Sequence, residues 1–403
     1  MPHLPSISNE LRLLILLSRG NLDRETLLEI HRYAYLTINW DSFINLAIRH
    51  KLLPLIHSNL KKHEFKFIPG HIVKRTHEIF LFNASRNVQL FKALCEITDA
   101  FSKHGIQVMS FKGLMLSQLA YGNICYRQVG DLDLLVRRQD VIKAIRLLAT
   151  AGYQSALEIN NRRFRKFIST ENSIDLYDKQ KKIQVELHWK TMDIYVNFPT
   201  DYSSYAENSA TVRIQNRQLV QFGTEDLLFH LMLHATKHSW DHLELICCIS
   251  EIISRREIDW DKLEIIISRN KCTRIFHLSM ALVYDLYKTE IPESIRRGFK
   301  TDSHIQSLAE TVYSKFLFPA GDSSDISISA RYSLFHLRAK DRLIDRLLYC
   351  LKITTMPTIK EWLLISLPPH FGFLYYGIRP IRLMKELIQT FSEKIKLNFV
   401  RVK

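Results

Sequence analysis

Apolar positions recur at helical spacing through roughly the first hundred residues, switch to alternation after that, and return to helical spacing from about residue 224. In NWDSFINLAIRHKLLPLIHSNLKK, Phe43, Leu46 and Ala47 share one helical face, which resumes at Leu55 after a break expected at Pro54. In RNVQLFKALCEITDAFSKHG, Leu90, Leu94, Ile97 and Phe101 line one face, and Gly105 supplies the stop. From 106 the period shortens. IQVMSF reads as a strand, KGLMLSQLAYG as a short helix and DLDLLV as the next strand. RQDVIKAIRLLATAGY reads as a helix with Asp140 near its start and Gly152 at its end. SIDLYDKQKKIQVELHW reads as a hairpin turning at Asp178 to Gln180. The pattern predicts an α+β chain with three regions: an N-terminal helical region over 1–85, a small mixed-sheet core over 86–222 and a helical C-terminal region over 223–403. No internal repeat or low-complexity segment interrupts it.

The run Val129 to Val136 carries two carboxylates, Asp131 and Asp133, among large apolar residues. Side chains alternate along a strand, so the two acids point the same way, about 7 Å apart, while Leu132 and Leu134 face a core. Like charges on one face repel, and burial worsens the repulsion. On that basis, removing either acid should cost no stability. A divalent cation would relieve the repulsion, because hard cations take carboxylate oxygens together with substrate phosphates. For an isolated Asp-x-Asp a solvated acidic edge strand is the favoured explanation, because the pattern is short, so the neighbouring sequence has to decide. In the hairpin's second strand, Glu186 points away from Val185 and Leu187, on the face it shares with Gln184 and His188. If that strand lies beside DLDLLV, Glu186 becomes a third acid. Three carboxylates around two cations, about 3.5–4 Å apart, suit an in-line displacement at phosphorus.

Composition narrows the partners. The 403 residues carry a net charge of +15, which favours anionic partners. Lys and Arg are scattered, without a basic stripe interleaved with aromatics, and this disfavours nucleic acid. The six cysteines form no C-x-x-C pair and no zinc spacing, and the first residues lack the pattern of a signal peptide. The expectation is a reduced, cytoplasmic protein. WLLISLPPHFGFLYYGI has no Lys, Arg, Asp or Glu, but a bilayer span needs about 20 apolar residues. Pro368, Pro369 and Gly372 also break this stretch, so 362–382 is expected to bury or to touch a membrane peripherally, with no transmembrane segment.

The ordered series Lys112-Gly113, Tyr121, Arg127, DLDLLV, Gly152-Tyr153, Glu186-Leu187-His188-Trp189 and His234-Ala235-Thr236-Lys237-His238-Ser239-Trp240 resembles an uncharacterised bacterial nucleotidyltransferase family. That family belongs to the DNA polymerase β-like superfamily. The series is collinear from about 40 to 270, and RPIRL near 380 also fits. The resemblance implies a catalytic and metal-ligating set of Asp131, Asp133 and Glu186, holding two magnesium ions or manganese in their place. It implies nucleotide contacts from Lys112, Gly113, Arg127, Lys237 and His238. Gly113 opens a helix whose free N–H groups favour an anion. Arg127 would meet the β- and γ-phosphates or hold the acids in place. Two departures stand out: Lys112-Gly113 replaces the superfamily's Gly-Ser or Gly-Gly with a longer gap to Asp131, which implies a rearranged phosphate-binding loop, and Leu245 and Cys248 stand where relatives often carry Trp and Asp, which bears on substrate choice.

His230, His234, His238 and His242 recur every fourth residue along one helical face, but no further ligand completes a zinc site at a suitable spacing. The expected function is magnesium-dependent transfer of a nucleoside monophosphate from an NTP to a small-molecule, peptide or protein acceptor, with pyrophosphate released. The rival readings are an RNA end-modifying transferase, a nucleotide-dependent kinase and a non-catalytic nucleotide-binding protein.

Overall fold

The computed structural model describes residues 7–157, 161–192, 200–318, 334–365 and 367–401. A four-stranded mixed sheet lies at the centre: β1 (Val108–Ser110), β2 (Asp131–Val136), β3 (Ser173–Asp178) and β4 (Ile183–His188), in the order β1-β2-β4-β3. β1 runs antiparallel to β2, and β3 antiparallel to β4 across the expected hairpin. β2 and β4 pair in parallel. Parallel neighbours need a long crossover, which here contains the helix Val141–Thr150. Extensive helical regions flank this core on both sides, giving the expected α+β architecture.

The two faces of β2 serve different ends. Leu132, Leu134 and Val136 pack with Val185, Leu187, Ile145 and Leu148 into one hydrophobic core. Leu135, on the face of the two aspartates, joins a second core with Phe111, Leu231 and Ile246. That second core also takes in Leu13, Leu14 and Ile56, so the N-terminal helices and the C-terminal helices share an interior. The acidic face of the sheet is therefore turned towards the helices.

Several elements differ from the pattern-based expectations. The break near residue 54 falls at His50–Leu52, and Pro54 lies in the first turn of the helix Leu53–His63, where its missing N–H costs nothing. One helix of 34 residues, Gly70–Lys103, runs straight through position 85. Between the sheet and residue 224 the chain adds a second hairpin, β5 (Ala210–Ile214) with β6 (Arg217–Gln221). Among the described residues, no helix is long and apolar enough to cross a membrane.

Candidate active site

Asp133 pairs in register with Glu186 across β2 and β4, and Asp131 with Gln184. The parallel pairing brings Asp131, Asp133 and Glu186 together on one wall of a cavity of about 420 Å³. Their environments differ sharply. Asp133 is only 6% exposed and accepts a hydrogen bond from Lys112 Nζ at 2.7 Å. It also accepts one from His188 Nε2 at 3.2 Å. Burial alone would raise its pKa, but Lys112 and His188 hold it well below the usual carboxylate range. Glu186 takes the Ser173 hydroxyl at 2.7 Å and lies 3.4 Å from His188 Nε2. Burial opposes its ionisation, yet His188 brings it down to about 2. Asp131 has no such cation of its own. Burial and the charges of Asp133 and Glu186 push it up to about 6.

The sequence places His188 in the Glu186–Trp189 motif and on the face of Glu186, but assigns it no role. Its imidazole is 2% exposed, and burial disfavours its charge. Glu186 and the hydrogen bonds to both acids outweigh that burial and raise it to about 9. A cationic ring thus stands between two carboxylates, with the Lys112 ammonium on the other side of Asp133. The expectation that either aspartate could be removed without cost holds only where repulsion is uncompensated. Asp133 is compensated twice, and its loss would take the hydrogen-bonded partner from buried Lys112 and leave His188 with Glu186 alone.

Lys112 and Gly113 form the loop from β1 into the helix Gly113–Tyr121. Gly113 has φ of +51°, and a Cβ there would meet Val129 Cγ1 at 3.0 Å and the Asp131 carbonyl at 3.5 Å. Only glycine fits without strain, which sets the helix start directly beside the acids. Arg127 is anchored elsewhere than on the acids: it forms a buried ion pair with Glu244 and donates to the Gly113 carbonyl at 3.1 Å. Asn83 and Asn87 fix its backbone by donating to the Arg127 carbonyl at 3.0 and 2.9 Å. Arg127 therefore ties the glycine turn to the helix Leu243–Arg255. Cys248 lies one turn beyond Glu244, with its Sγ 3.8 Å from Glu244 Oε1 and 3.4 Å from the Tyr121 hydroxyl. The acid facing Arg127 in this chain is thus Glu244.

The opposite wall comes from the helices. Lys51, His234, His238, Asp241, His242 and Leu245 complete the lining. The His234 and His238 rings meet tilted, with centroids 4.7 Å apart, and burial keeps both below their ordinary pKa. His230 lies deeper, buried against Phe111 and Phe222. Ser239 and Trp240 both adopt positive φ, and this turn swings Asp241 and His242, which hydrogen-bond each other, to the cavity. Such paired left-handed residues cost about 1–3 kcal/mol each and persist where packing holds them; Trp240 is fully buried. Lys237 borders a different cavity, with Leu233, His336 and Lys340. The structure therefore gathers Lys112, Gly113, Arg127, Asp131, Asp133, Glu186 and His238 in one place and sets Lys237 apart.

The donor set suits a hard divalent cation. Among the described residues, Asp133, Glu186 and His188 are the one group of three or more candidate ligands with donor atoms within 4.8 Å of one another. Asp131 adds a further carboxylate on the same face, its pKa raised by burial and by the charges of Asp133 and Glu186. Oxygen-rich sites of this kind favour magnesium or manganese over softer metals.

No curated protein matches the chain. A solved structure of an antigenic nucleotidyltransferase-like protein from Paracoccidioides brasiliensis aligns with 51% of this chain and 95% of that one. The identity is 14% and the TM-score 0.29, too low for any argument. The model of a family described as uncharacterised nucleotidyltransferase matches residues 37–288, well over half of the chain and the whole of the cavity lining. With that match spanning both walls of the site, the chain belongs to this uncharacterised nucleotidyltransferase family.

Proposed function

We propose that the protein is a magnesium-dependent nucleotidyltransferase. It moves a nucleoside monophosphate from an NTP to a small-molecule, peptide or protein acceptor. The convergence of Asp131, Asp133 and Glu186 on one wall of a cavity, beside a glycine-initiated helix start, carries this reading. Two magnesium ions, or manganese in their place, would be held by Asp131, Asp133 and Glu186 and would neutralise charge on the attacking and leaving oxygens.

The chain's own groups account for the remaining steps. The free N–H groups at the start of the helix Gly113–Tyr121 receive the triphosphate. Lys112, already at the junction of the acids and the cavity, passes its ammonium from Asp133 to phosphate oxygens. Lys51 and His238 close on the nucleotide from the helical wall. An acceptor hydroxyl attacks the α-phosphorus, the bond from that phosphorus to the bridging oxygen breaks, and pyrophosphate leaves. Glu186, as one of the acids that would hold the metal, helps to draw off the acceptor's proton. His188 is a positioning residue: its ring holds Asp133 and Glu186 at a fixed separation.

Parallel incubations with α-labelled and γ-labelled NTP, across hydroxyl, amine and peptide acceptors, test this reading. Label should move to acceptor from the α-position alone, with equal pyrophosphate. Transfer of γ-label would make the protein a kinase. Tight NTP binding without any transfer would make it a binding protein.

A further inference from the structure

Although Lys and Arg are scattered along the chain, their excess over acids is heavier towards its end. Residues 334–403 hold 13 Lys and Arg against 5 Asp and Glu, a large part of the total excess of +15. The same segment carries more than half of the exposed large apolar side chains among the described residues. Leu363 is 54% exposed, Leu364 61%, Phe371 50%, Phe373 63%, Ile381 70% and Met384 62%. They sit on the helix Ile359–Leu364, the turn Pro369–Leu374 and the helix Tyr375–Arg401, with the first two both packing on the last.

This exposure follows from how the last helix is anchored. Tyr375 is buried and donates its hydroxyl to the Ile365 carbonyl at 2.7 Å. Arg379 is buried and donates to the Ile353 carbonyl at 2.8 Å. Arg382 pairs with the buried Glu361. Those residues occupy one side of the helix, while Ile381, Met384 and Ile388 recur at i, i+3 and i+7 on the other. An amphipathic helix of this kind buries a polar anchor against the protein and offers its apolar stripe outwards. The aromatic turn beside it is bordered by cations from another element. The helix Asn161–Thr170 packs against the turn, and the Lys166 side chain approaches Gly372. Its described cationic residues, Arg165 and Lys166, are exposed, whereas Phe164 and Phe167 are buried.

We infer that this face docks peripherally on an anionic lipid surface, with Phe371, Phe373, Ile381 and Met384 entering the interface and the neighbouring Lys and Arg residues meeting the headgroups. Exposed apolar side chains bordered by cations have the two properties such binding uses, apolar insertion and attraction to negative charge. The same charge argues against a second copy of the chain as the occupant, because two such faces would bring cation against cation. The absence of a long apolar helix among the described residues leaves a lateral, in-plane mode of contact.

The test uses the full chain and vesicles of phosphatidylcholine alone or with 30% phosphatidylglycerol. Flotation should recover the protein with the anionic vesicles at least tenfold more than with the neutral ones, and 0.5 M salt should weaken recovery. Phe371→Ser with Phe373→Ser should reduce binding to the neutral-vesicle level. Arg165→Glu with Lys166→Glu should do so without touching the apolar residues. Asp131→Asn should bind like the wild type, so the outcome is independent of the proposed nucleotidyl transfer. No preference of the wild-type chain for anionic vesicles overturns the inference, whatever the variants do. So does concentration-dependent dimerisation that is abolished by the Phe371 and Phe373 changes.

Discussion

Asp133 stands opposite Glu186 in the parallel register of β2 and β4, although 53 positions separate them in the chain. The pairing makes one site from the DLDLLV strand and the later hairpin. It also gives the acids unequal surroundings, since Lys112 and His188 both attend Asp133 and neither hydrogen-bonds Asp131.

That inequality separates two variants expected to be equally inactive. Asp131→Asn removes a charge that burial and its neighbours already disfavour, so its unfolding midpoint should stay level or rise. Asp133→Ala takes the hydrogen-bonded partner from buried Lys112, leaves His188 with Glu186 alone, and should cost about 3–5 kcal/mol. Urea unfolding of both proteins, without added metal, checks the order. Equal stabilities would mean that the cations around Asp133 contribute nothing.

Lys51 and Lys237 should part company in steady-state kinetics. Lys51 lines the active-site cavity and Lys237 the neighbouring one. Lys51→Ala should raise the NTP KM about fivefold, the size of a partly exposed charge contact of about 1 kcal/mol, with kcat little changed. Lys237→Ala should leave KM where it is. The reverse result would place the triphosphate on the far side of the helix Thr224–Lys237.

The buried pair Arg127–Glu244 joins the glycine turn to the helix Leu243–Arg255. Arg127→Leu leaves a carboxylate without its partner and should cost about 3–5 kcal/mol. The double variant with Glu244→Leu should cost clearly less than the two single changes together. A double-mutant cycle by chemical unfolding measures the difference; strict additivity would show that the two side chains do not couple.

The acids were legible in the sequence because strand alternation fixes which side chains share a face. Asp131 with Asp133 and Glu186 with His188 follow from period two alone, and the hairpin turn marks where β4 begins. The charge balance was not legible. Nothing in the spacing of Lys112, Asp133 and His188 shows that two cations close on one carboxylate, because that depends on β1, β2 and β4 meeting in three dimensions. The helical wall was harder still. Lys51, Asp241, His242 and Glu244 reach the cavity through tertiary packing of helices far apart in the chain. Lys237 and His238 are adjacent in sequence, yet one helical step of about 100° sends them to different cavities. Pro54 misled for a local reason: proline breaks a helix interior but is well suited to a first turn.

Acid sensitivity should trace in part to His50. Its ring is fully buried, and Nδ1 accepts the Leu243 N–H at 3.3 Å. Burial and the nearby Arg49 lower its pKa from 6.5 to about 3. The unfolded chain therefore takes up this proton first as pH falls. The neutral ring's contribution is complete above pH about 6.5 and is lost progressively towards pH 3, roughly 2 kcal/mol of it by pH 5. His50→Asn keeps an acceptor without titrating. Its unfolding free energy should fall less than the wild type's between pH 7.5 and 5; parallel slopes would exclude His50 as the source.

The most direct measurement needs no acceptor. Free manganese gives a sharp electron paramagnetic resonance signal that bound manganese loses, so titration into protein with a non-hydrolysable NTP analogue counts ions at the site. The wild-type chain should bind two ions. Asp131→Asn and Glu186→Gln, both expected to fold, should each weaken that binding by tenfold or more. Equal binding by all three proteins, or none by the wild type, would contradict a metal-dependent site built on Asp131, Asp133 and Glu186.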